Sequence, residues 1–103
     1  MNGKYSVFLS NDARRDIDKL SNIIMYDYQA PDTAFKYVQG LLNAITSLKK
    51  SPEIYAIQTR KSLRQYGYNV RRINYKKMAI IYSVYNDVVL VHRIVPSTLI
   101  TEL

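Results

Sequence analysis

Two short apolar stretches near the C-terminus, separated by only two residues, constrain the fold of this chain more than any other feature. Residues 79–85 and 88–95 are rich in β-branched and aromatic side chains. Asn86 and Asp87 between them tolerate the positive φ that a two-residue hairpin turn requires. The pattern therefore predicts a β-hairpin, and its turn fixes the pairing, with Ile81 expected opposite His92 and Ile80 opposite Arg93.

Side chains of a strand alternate between its two faces, so the predicted hairpin divides into two sets. Both sets are apolar, and we expect one face to pack under helices and the other to be partly exposed or covered by a partner. The first set comprises Ile80, Tyr82, Val84, Val89, Val91 and Arg93, and the second comprises Ala79, Ile81, Ser83, Leu90, His92 and Ile94.

Two further strands and two helices are predicted upstream of the hairpin. Residues 69–75 have strand composition, and residues 4–9 form a short alternating stretch. Between them, Ser10 to Asp12 supply capping side chains for one helix, and Pro31 starts a second. The apolar stripes are Ala13, Ile17, Leu20, Ile24 and Tyr28 in the first helix, and Ala34, Val38, Leu41, Ile45 and Leu48 in the second.

The order of these elements predicts the fold class. A strand, two helices and then three strands indicate an α+β fold in which a helical hairpin packs on a mostly antiparallel sheet. A length of 103 residues suits a single domain spanning residues 1–103. Residues 51–67 carry the weakest pattern. One interpretation is a short helical turn, and another is a crossing segment that Ile54, Tyr55 and Ile57 anchor onto the core.

The positive charge of this chain is segregated. The formal net charge is +7, and residues 1–48 hold equal numbers of acidic and basic side chains, so the excess lies in the second half. A basic half predicts an acidic partner, either nucleic acid or an acidic protein segment. Solubility alone is the competing explanation.

Several classes of site are disfavoured by composition. The chain has no cysteine and only one histidine, so we expect no metal site and no cofactor. It has no apolar stretch of the length of a membrane span and no N-terminal signal-peptide pattern. We therefore expect a cytoplasmic protein without a membrane partner.

The residues also resemble a known family over nearly the whole chain. The similarity rests on the short motifs of residues 5–10, on Pro31 with Ala34 and Tyr37, on residues 70–73, and on the hairpin. In this order and spacing they resemble the RelE/ParE superfamily of bacterial type II toxins. The long helical hairpin is more similar to the ParE side than to the compact RelE side.

This resemblance implies a toxin that inhibits growth and is neutralised by a cognate antitoxin, in a module associated with plasmid stabilization. Family members act either on DNA gyrase or on mRNA in the ribosome, and operator DNA is expected to be bound only through the antitoxin complex. The residues expected to bind antitoxin or target are Arg60, Lys61, Arg64, Tyr68, Arg71, Arg72, Tyr75 and Lys76.

A ribonuclease function would require its own set of residues. Metal-free RNA cleavage needs a base, an acid and cations that stabilise the charged transition state. The candidates for this catalysis are Arg71, Arg72, Lys77 and His92. The chain departs from the ribonuclease pattern at Ala79 and in residues 96–99, where further basic or polar groups are typical.

The sequence therefore favours a ParE-like action on DNA gyrase without catalysis. The first alternative is ribosome-dependent mRNA cleavage that uses the candidate catalytic residues. The second is a non-toxic family member that serves as a binding module for antitoxin and operator.

Overall fold

The computed structural model describes residues 5–100, so Lys4 of the predicted first strand lies outside the described residues. The predicted order of strand, helix, helix and three strands is confirmed. Short 3-10 turns fill much of the stretch between the second helix and the second strand. The elements are β1 (Ser6–Leu9), α1 (Asn11–Asn22), α2 (Pro31–Thr46), β2 (Val70–Tyr75), β3 (Met78–Tyr85) and β4 (Val88–Pro96).

The four strands form one sheet in the order β1-β4-β3-β2. β1 pairs with β4 in parallel, whereas the β4–β3 and β3–β2 pairs are antiparallel. A parallel pair needs a long crossover connection, and α1 and α2 lie within the connection that separates β1 from the other strands. The fold is therefore α+β with a mixed sheet, in agreement with the predicted class.

Positive φ angles occur in the two-residue turns of the sheet. Asn86 has φ 55 in the predicted turn between β3 and β4, and Lys76 has φ 54 in the turn between β2 and β3. Both turns join directly paired residues, Tyr85 with Val88 and Tyr75 with Met78. The second turn lacks glycine and asparagine at the strained position, so its composition gave a weaker signal.

The first helix begins as predicted and ends differently. Ser10 caps α1 by accepting a hydrogen bond from the Ala13 amide at 2.9 Å. The chain then continues as a π-helical turn over Ile23–Asp27. A π turn spaces its hydrogen bonds one residue further apart, which displaces the following side chains around the axis. The prediction that Tyr28 belongs to the apolar stripe is therefore wrong, and Tyr28 is 73% exposed.

Apolar clusters cover both faces of the sheet. The main core lies between the helices and the sheet, where Leu41 and Ile45 of α2 meet Ile80 and Tyr82 of β3. The opposite face, called here the outer face, carries a smaller cluster covered by the 3-10 turn Lys61–Tyr66. The members of the outer-face cluster are Leu63, Val70, Ala79 and Ile81, with Tyr66, Val95 and Ile100 packed against them.

A β-bulge at His92 overturns part of the predicted hairpin register. Pairing follows the prediction from Tyr85 and Val88 back to Tyr82 and Val91, but Ile81 then pairs with Arg93 and Ile80 with Ile94. The predicted pairs of Ile81 with His92 and of Ile80 with Arg93 are therefore wrong. The extra residue places Ile94 in the main core at 2% exposure.

The bulge also changes which face each side chain occupies. The prediction placed Arg93 with Tyr82 and Val91, but its side chain lines two cavities, one with Ile81 of the outer face and one with Leu20 of α1. A charged guanidinium in the main core would require compensation there, whereas Ile94 fits that core without any. Within residues 5–100, no helix combines the length and apolar character needed to cross a membrane.

Candidate functional site

Arg71 lies on the helix-facing side of β2. It shares this face with Ile73 and Tyr75, which are two and four residues further along the strand and contribute to the main core. Its Nη1 donates hydrogen bonds to the carbonyl oxygens of Glu53, at 3.0 Å, and Tyr55. The Nε atom is buried without a hydrogen-bond partner among the described residues. Arg71 therefore holds the segment at residues 52–57, named here the crossing segment, against the sheet.

Two tyrosines fix the same segment. Tyr82, fully buried in β3, donates from its hydroxyl to the carbonyl of Pro52 at 2.6 Å, and burial raises the pKa of this phenol. Tyr5 donates to Glu53 Oε1 at 2.8 Å, and that hydrogen bond is the main cause of the raised pKa of Tyr5. The crossing segment is thus tied to β2, to β3 and to Tyr5, the residue before β1, by side chains distant in sequence.

Arg72 lies on the outer face, because it is two residues after Val70 of the outer-face cluster and side chains two residues apart in a strand share a face. Its Nε donates to Asn74 Oδ1 at 3.0 Å. Arg71 and Arg72 therefore address opposite sides of the sheet, as expected for adjacent residues of a regular strand.

His92 is held on the outer face by two neighbours. Its Nε2 lies 2.8 Å from Ser83 Oγ, and its ring stacks on that of Tyr66 with centroids 5.2 Å apart and planes at 24°. The side chain is partly buried, and burial lowers the pKa of the imidazole. The neutral ring therefore predominates near pH 7.

The structure does not bring the four candidate catalytic residues together. Arg72 pairs with Ile81, which pairs with Arg93 beside the bulge, so β3 separates Arg72 from His92 by about 10 Å. Lys77 lies in the turn after β2, roughly 15 Å along the strand from Arg72. Arg71 is on the other face.

The predicted binding residues fall into groups at the two ends of β2, about 20 Å apart. After the strand, Tyr75 packs edge-on against Tyr37, and the Lys76 ammonium lies 5.8 Å from the centre of the Tyr75 ring. Before the strand, Lys61, Arg64 and Tyr68 are exposed, whereas Arg60 is partly buried.

Two members of the group before β2, Arg64 and Tyr68, line a cleft of about 330 Å³, named here the Tyr68 cleft. Tyr68 is 90% exposed and follows Gly67, whose φ of 111 is a conformation that L residues rarely adopt. The side chains of Arg64 and Tyr68 have no hydrogen-bond or ion-pair partner among residues 5–100. The lining residues are Ile57, Gln58, Thr59, Arg64, Gly67 and Tyr68.

The interpretation that Ile54, Tyr55 and Ile57 anchor their segment onto the core is wrong, and sequence reasoning did not single out Phe35 of α2. Ile54 is 72% and Ile57 44% exposed in the crossing segment, and Phe35 of α2 is 69% exposed. The signal in the sequence was the failure of these residues to fit an apolar stripe. No group of three or more potential metal ligands occurs in the part of the chain described.

Comparison with known proteins agrees with the fold and the sequence pattern. The family model described as ParE toxin of type II toxin-antitoxin system, parDE, matches residues 7–98. A chain from a chromosomal ParDE toxin–antitoxin system of P. aeruginosa shares the fold with a TM-score of 0.71 at 16% identity, over 91% of this chain and 97% of that one. None of the curated proteins matches this sequence. The chain therefore belongs to the ParE toxin family of type II toxin–antitoxin systems.

Proposed function

We propose that this chain is a cytoplasmic toxin that inhibits growth by binding DNA gyrase and that a cognate antitoxin neutralises it. Membership of the ParE family supports the toxin role. The likeness to a chain from a ParDE toxin–antitoxin system supports an antitoxin partner. DNA gyrase is the target that the resemblance to the ParE side implies, and the arrangement of charged side chains described next supports a mechanism without catalysis.

The observation that carries a non-catalytic mechanism is the engagement of Arg71. Its guanidinium donates to the carbonyls of Glu53 and Tyr55 on the helix-facing side, away from Arg72 and His92. RNA cleavage requires base, acid and cations around one phosphate, within hydrogen-bond reach. Groups separated by a strand or by the sheet itself do not meet that requirement. The arrangement therefore favours inhibition by binding over cleavage.

The antitoxin surface proposed here combines apolar and basic groups. The apolar residues exposed on the crossing segment are Ile54, Tyr55 and Ile57. The exposed cations Lys61 and Arg64 follow shortly after them in sequence. Arg64 and Ile57 also line the same cleft. An antitoxin segment with alternating acidic and apolar residues would complement both features. Operator DNA is then contacted through the complex.

A supercoiling assay tests the proposal directly. Purified chain is added to DNA gyrase, relaxed plasmid and ATP, with the Ile45→Asp variant, whose core is disrupted, as the inactive control. The expected result is loss of supercoiling that the cognate antitoxin restores. Unimpaired supercoiling at a large molar excess of folded chain would contradict the gyrase target.

One feature keeps ribosome-dependent mRNA cleavage as a second candidate. Arg72 and His92 share the outer face, so an extended RNA strand crossing β3 would pass both. Primer extension on mRNA from induced cells distinguishes this candidate, since it predicts new cleavage sites within reading frames. A non-toxic binding module predicts neither cleavage nor growth inhibition.

A further inference from the structure

We propose that the Tyr68 cleft binds single-stranded nucleic acid, with one base stacked on Tyr68 and the adjacent phosphate bound by Arg64. Neither family membership nor the proposed action on gyrase requires this activity. The inference rests on the geometry and charge of this one cleft, so it can fail while the proposed function stands.

The exposure of Tyr68 is the first observation. A tyrosine ring is large and apolar, and at 90% exposure it loses most of the burial that normally stabilises such a ring in a folded protein. No ring contact of Tyr68 occurs within residues 5–100, in contrast to the rings of Tyr37, Tyr66 and Tyr75. A free aromatic face on a basic protein is the platform on which unpaired bases stack.

The second observation is the charge beside that ring. Arg64 lines the same cleft and forms no ion pair with any described residue, and Lys61 on the same 3-10 turn is also exposed. Exposed cations beside an aromatic face attract the phosphate backbone and give salt-dependent binding. No acidic side chain lines the cleft, so nothing in its lining neutralises Arg64.

The third observation is the size and polarity of the cleft. Its volume of about 330 Å³ lies at the small end of the range of about 300–1,000 Å³ for ligand pockets. Gln58 and Thr59 add polar side chains for a base edge, and Ile57 adds an apolar wall. Bases of a duplex are paired and stacked on one another, so they cannot stack on Tyr68. The cleft should therefore prefer single strands.

The two sides of the cleft are held in place by the sheet. The backbone N–H of Gln58 donates to the carbonyl of Val70 at 2.7 Å, and the backbone of Ile57 forms an antiparallel β-bridge with Arg71 of β2. On the other side, Leu63 is 4% exposed and anchors the 3-10 turn that carries Arg64. The backbone on both sides of the cleft is therefore held in place, which reduces the entropic cost of binding.

The test is fluorescence anisotropy of a labelled oligothymidylate titrated with the full chain, alongside a duplex of equal length. The expected result is salt-dependent binding of the single strand. Tyr68→Ala should weaken it at least about fivefold, whereas Tyr68→Phe, which keeps the ring, should leave it nearly unchanged. Arg64→Gln should weaken binding and reduce the slope against log salt by about 0.7.

Matched controls come from the helices. Tyr26→Ala removes a ring that is 68% exposed, and Lys36→Gln removes an exposed charge in α2. Both should leave binding unchanged. The proposal is overturned if the wild type does not bind the oligonucleotide, or if Tyr68→Ala binds it as well as the wild type does. It is also overturned if the cleft variants lose the cognate antitoxin but retain the oligonucleotide, which would leave the cleft as part of the antitoxin surface only.

Discussion

Asp16 of α1 and Arg93 of β4, 77 residues apart in the chain, are joined by two hydrogen bonds. Arg93 donates from Nε to Asp16 Oδ2 at 2.7 Å and from Nη2 to Oδ1 at 3.0 Å. The Ile94 amide also donates to Asp16 Oδ2, at 2.8 Å. Because β1 pairs with β4 only as far as Val91, this carboxylate takes over the edge of β4 where β1 ends.

Asp16→Ala should lower the free energy of unfolding by about 2 kcal/mol, because it leaves a charged donor and a backbone amide without their acceptor. The Asp16 side chain is 13% exposed and that of Arg93 35%, so solvent compensates only part of the loss. Urea denaturation measures the change. Asp18→Ala, at an exposed position of the same helix, should stay within about 0.5 kcal/mol, and equal effects of the two variants would contradict this account.

Gly40→Ala should destabilise the protein by about 1 kcal/mol, although alanine favours helices. An added Cβ would lie 2.2 Å from Tyr75 Oη and 2.9 Å from Tyr75 Cζ. Tyr75 cannot retreat freely, since its hydroxyl donates to the Tyr37 carbonyl at 3.0 Å. Overpacking costs about 1–3 kcal/mol, against a gain of about 1 kcal/mol in helix propensity.

A double-mutant cycle combines Gly40→Ala with Tyr75→Phe, which removes the hydroxyl oxygen nearest to the added Cβ. In that background the thermal-shift penalty of Gly40→Ala should shrink. A Gly40→Ala variant that is more stable than the wild type would show that Tyr75 yields without cost.

His92 should make stability depend on pH below neutrality. Burial lowers the pKa of the folded imidazole, so the unfolded chain binds a proton first as pH falls. The stability that the neutral ring contributes is thus complete above the unfolded pKa of about 6.5 and is lost as pH falls towards the lower folded value.

The measurement compares the free energy of unfolding of wild type and His92→Gln between pH 8 and 5. The wild type should lose more stability than the variant over this interval. Parallel curves would mean that His92 titrates alike in both states.

Arg71→Ala should lower the free energy of unfolding by roughly 2 kcal/mol, because the crossing segment loses its hydrogen bonds to the guanidinium. Proteolysis within residues 52–57 should become faster. Lys77→Ala, in an exposed turn of the same sheet, is the matched charge control and should have little effect. If Arg71→Ala abolished growth inhibition without changing stability or proteolysis, Arg71 would belong to the target surface instead.

The fold was predictable where its determinants are local. The Asn86-Asp87 turn, the Ser10 cap and the apolar stripe around Leu41 each depend on neighbours within a few residues, and each lies where the sequence predicts it. The bulge at His92 was not predictable in this way. Predicting the register from the turn assumes that each residue of β3 faces one residue of β4. The extra residue at His92 places Ile94 instead of Arg93 on the core face, and this preference depends on the packed core.

The candidate site shows the same division. Lys61, Arg64 and Tyr68 could be named from composition because exposed basic and aromatic residues between regular elements are conspicuous. The role of Arg71 could not, since its partners are carbonyls 16 and 18 residues away in a segment without periodic pattern. The role of Asp16 was likewise not predictable, because its partner Arg93 lies on the last strand.

The most direct test of the central proposal is to induce this chain alone in a bacterial host and follow DNA and protein synthesis by pulse labelling over the first minutes. Inhibition of gyrase predicts that incorporation of labelled thymidine falls first, while protein synthesis continues. A fall in amino-acid incorporation that precedes any change in DNA synthesis would contradict the proposal and favour cleavage of mRNA on the ribosome.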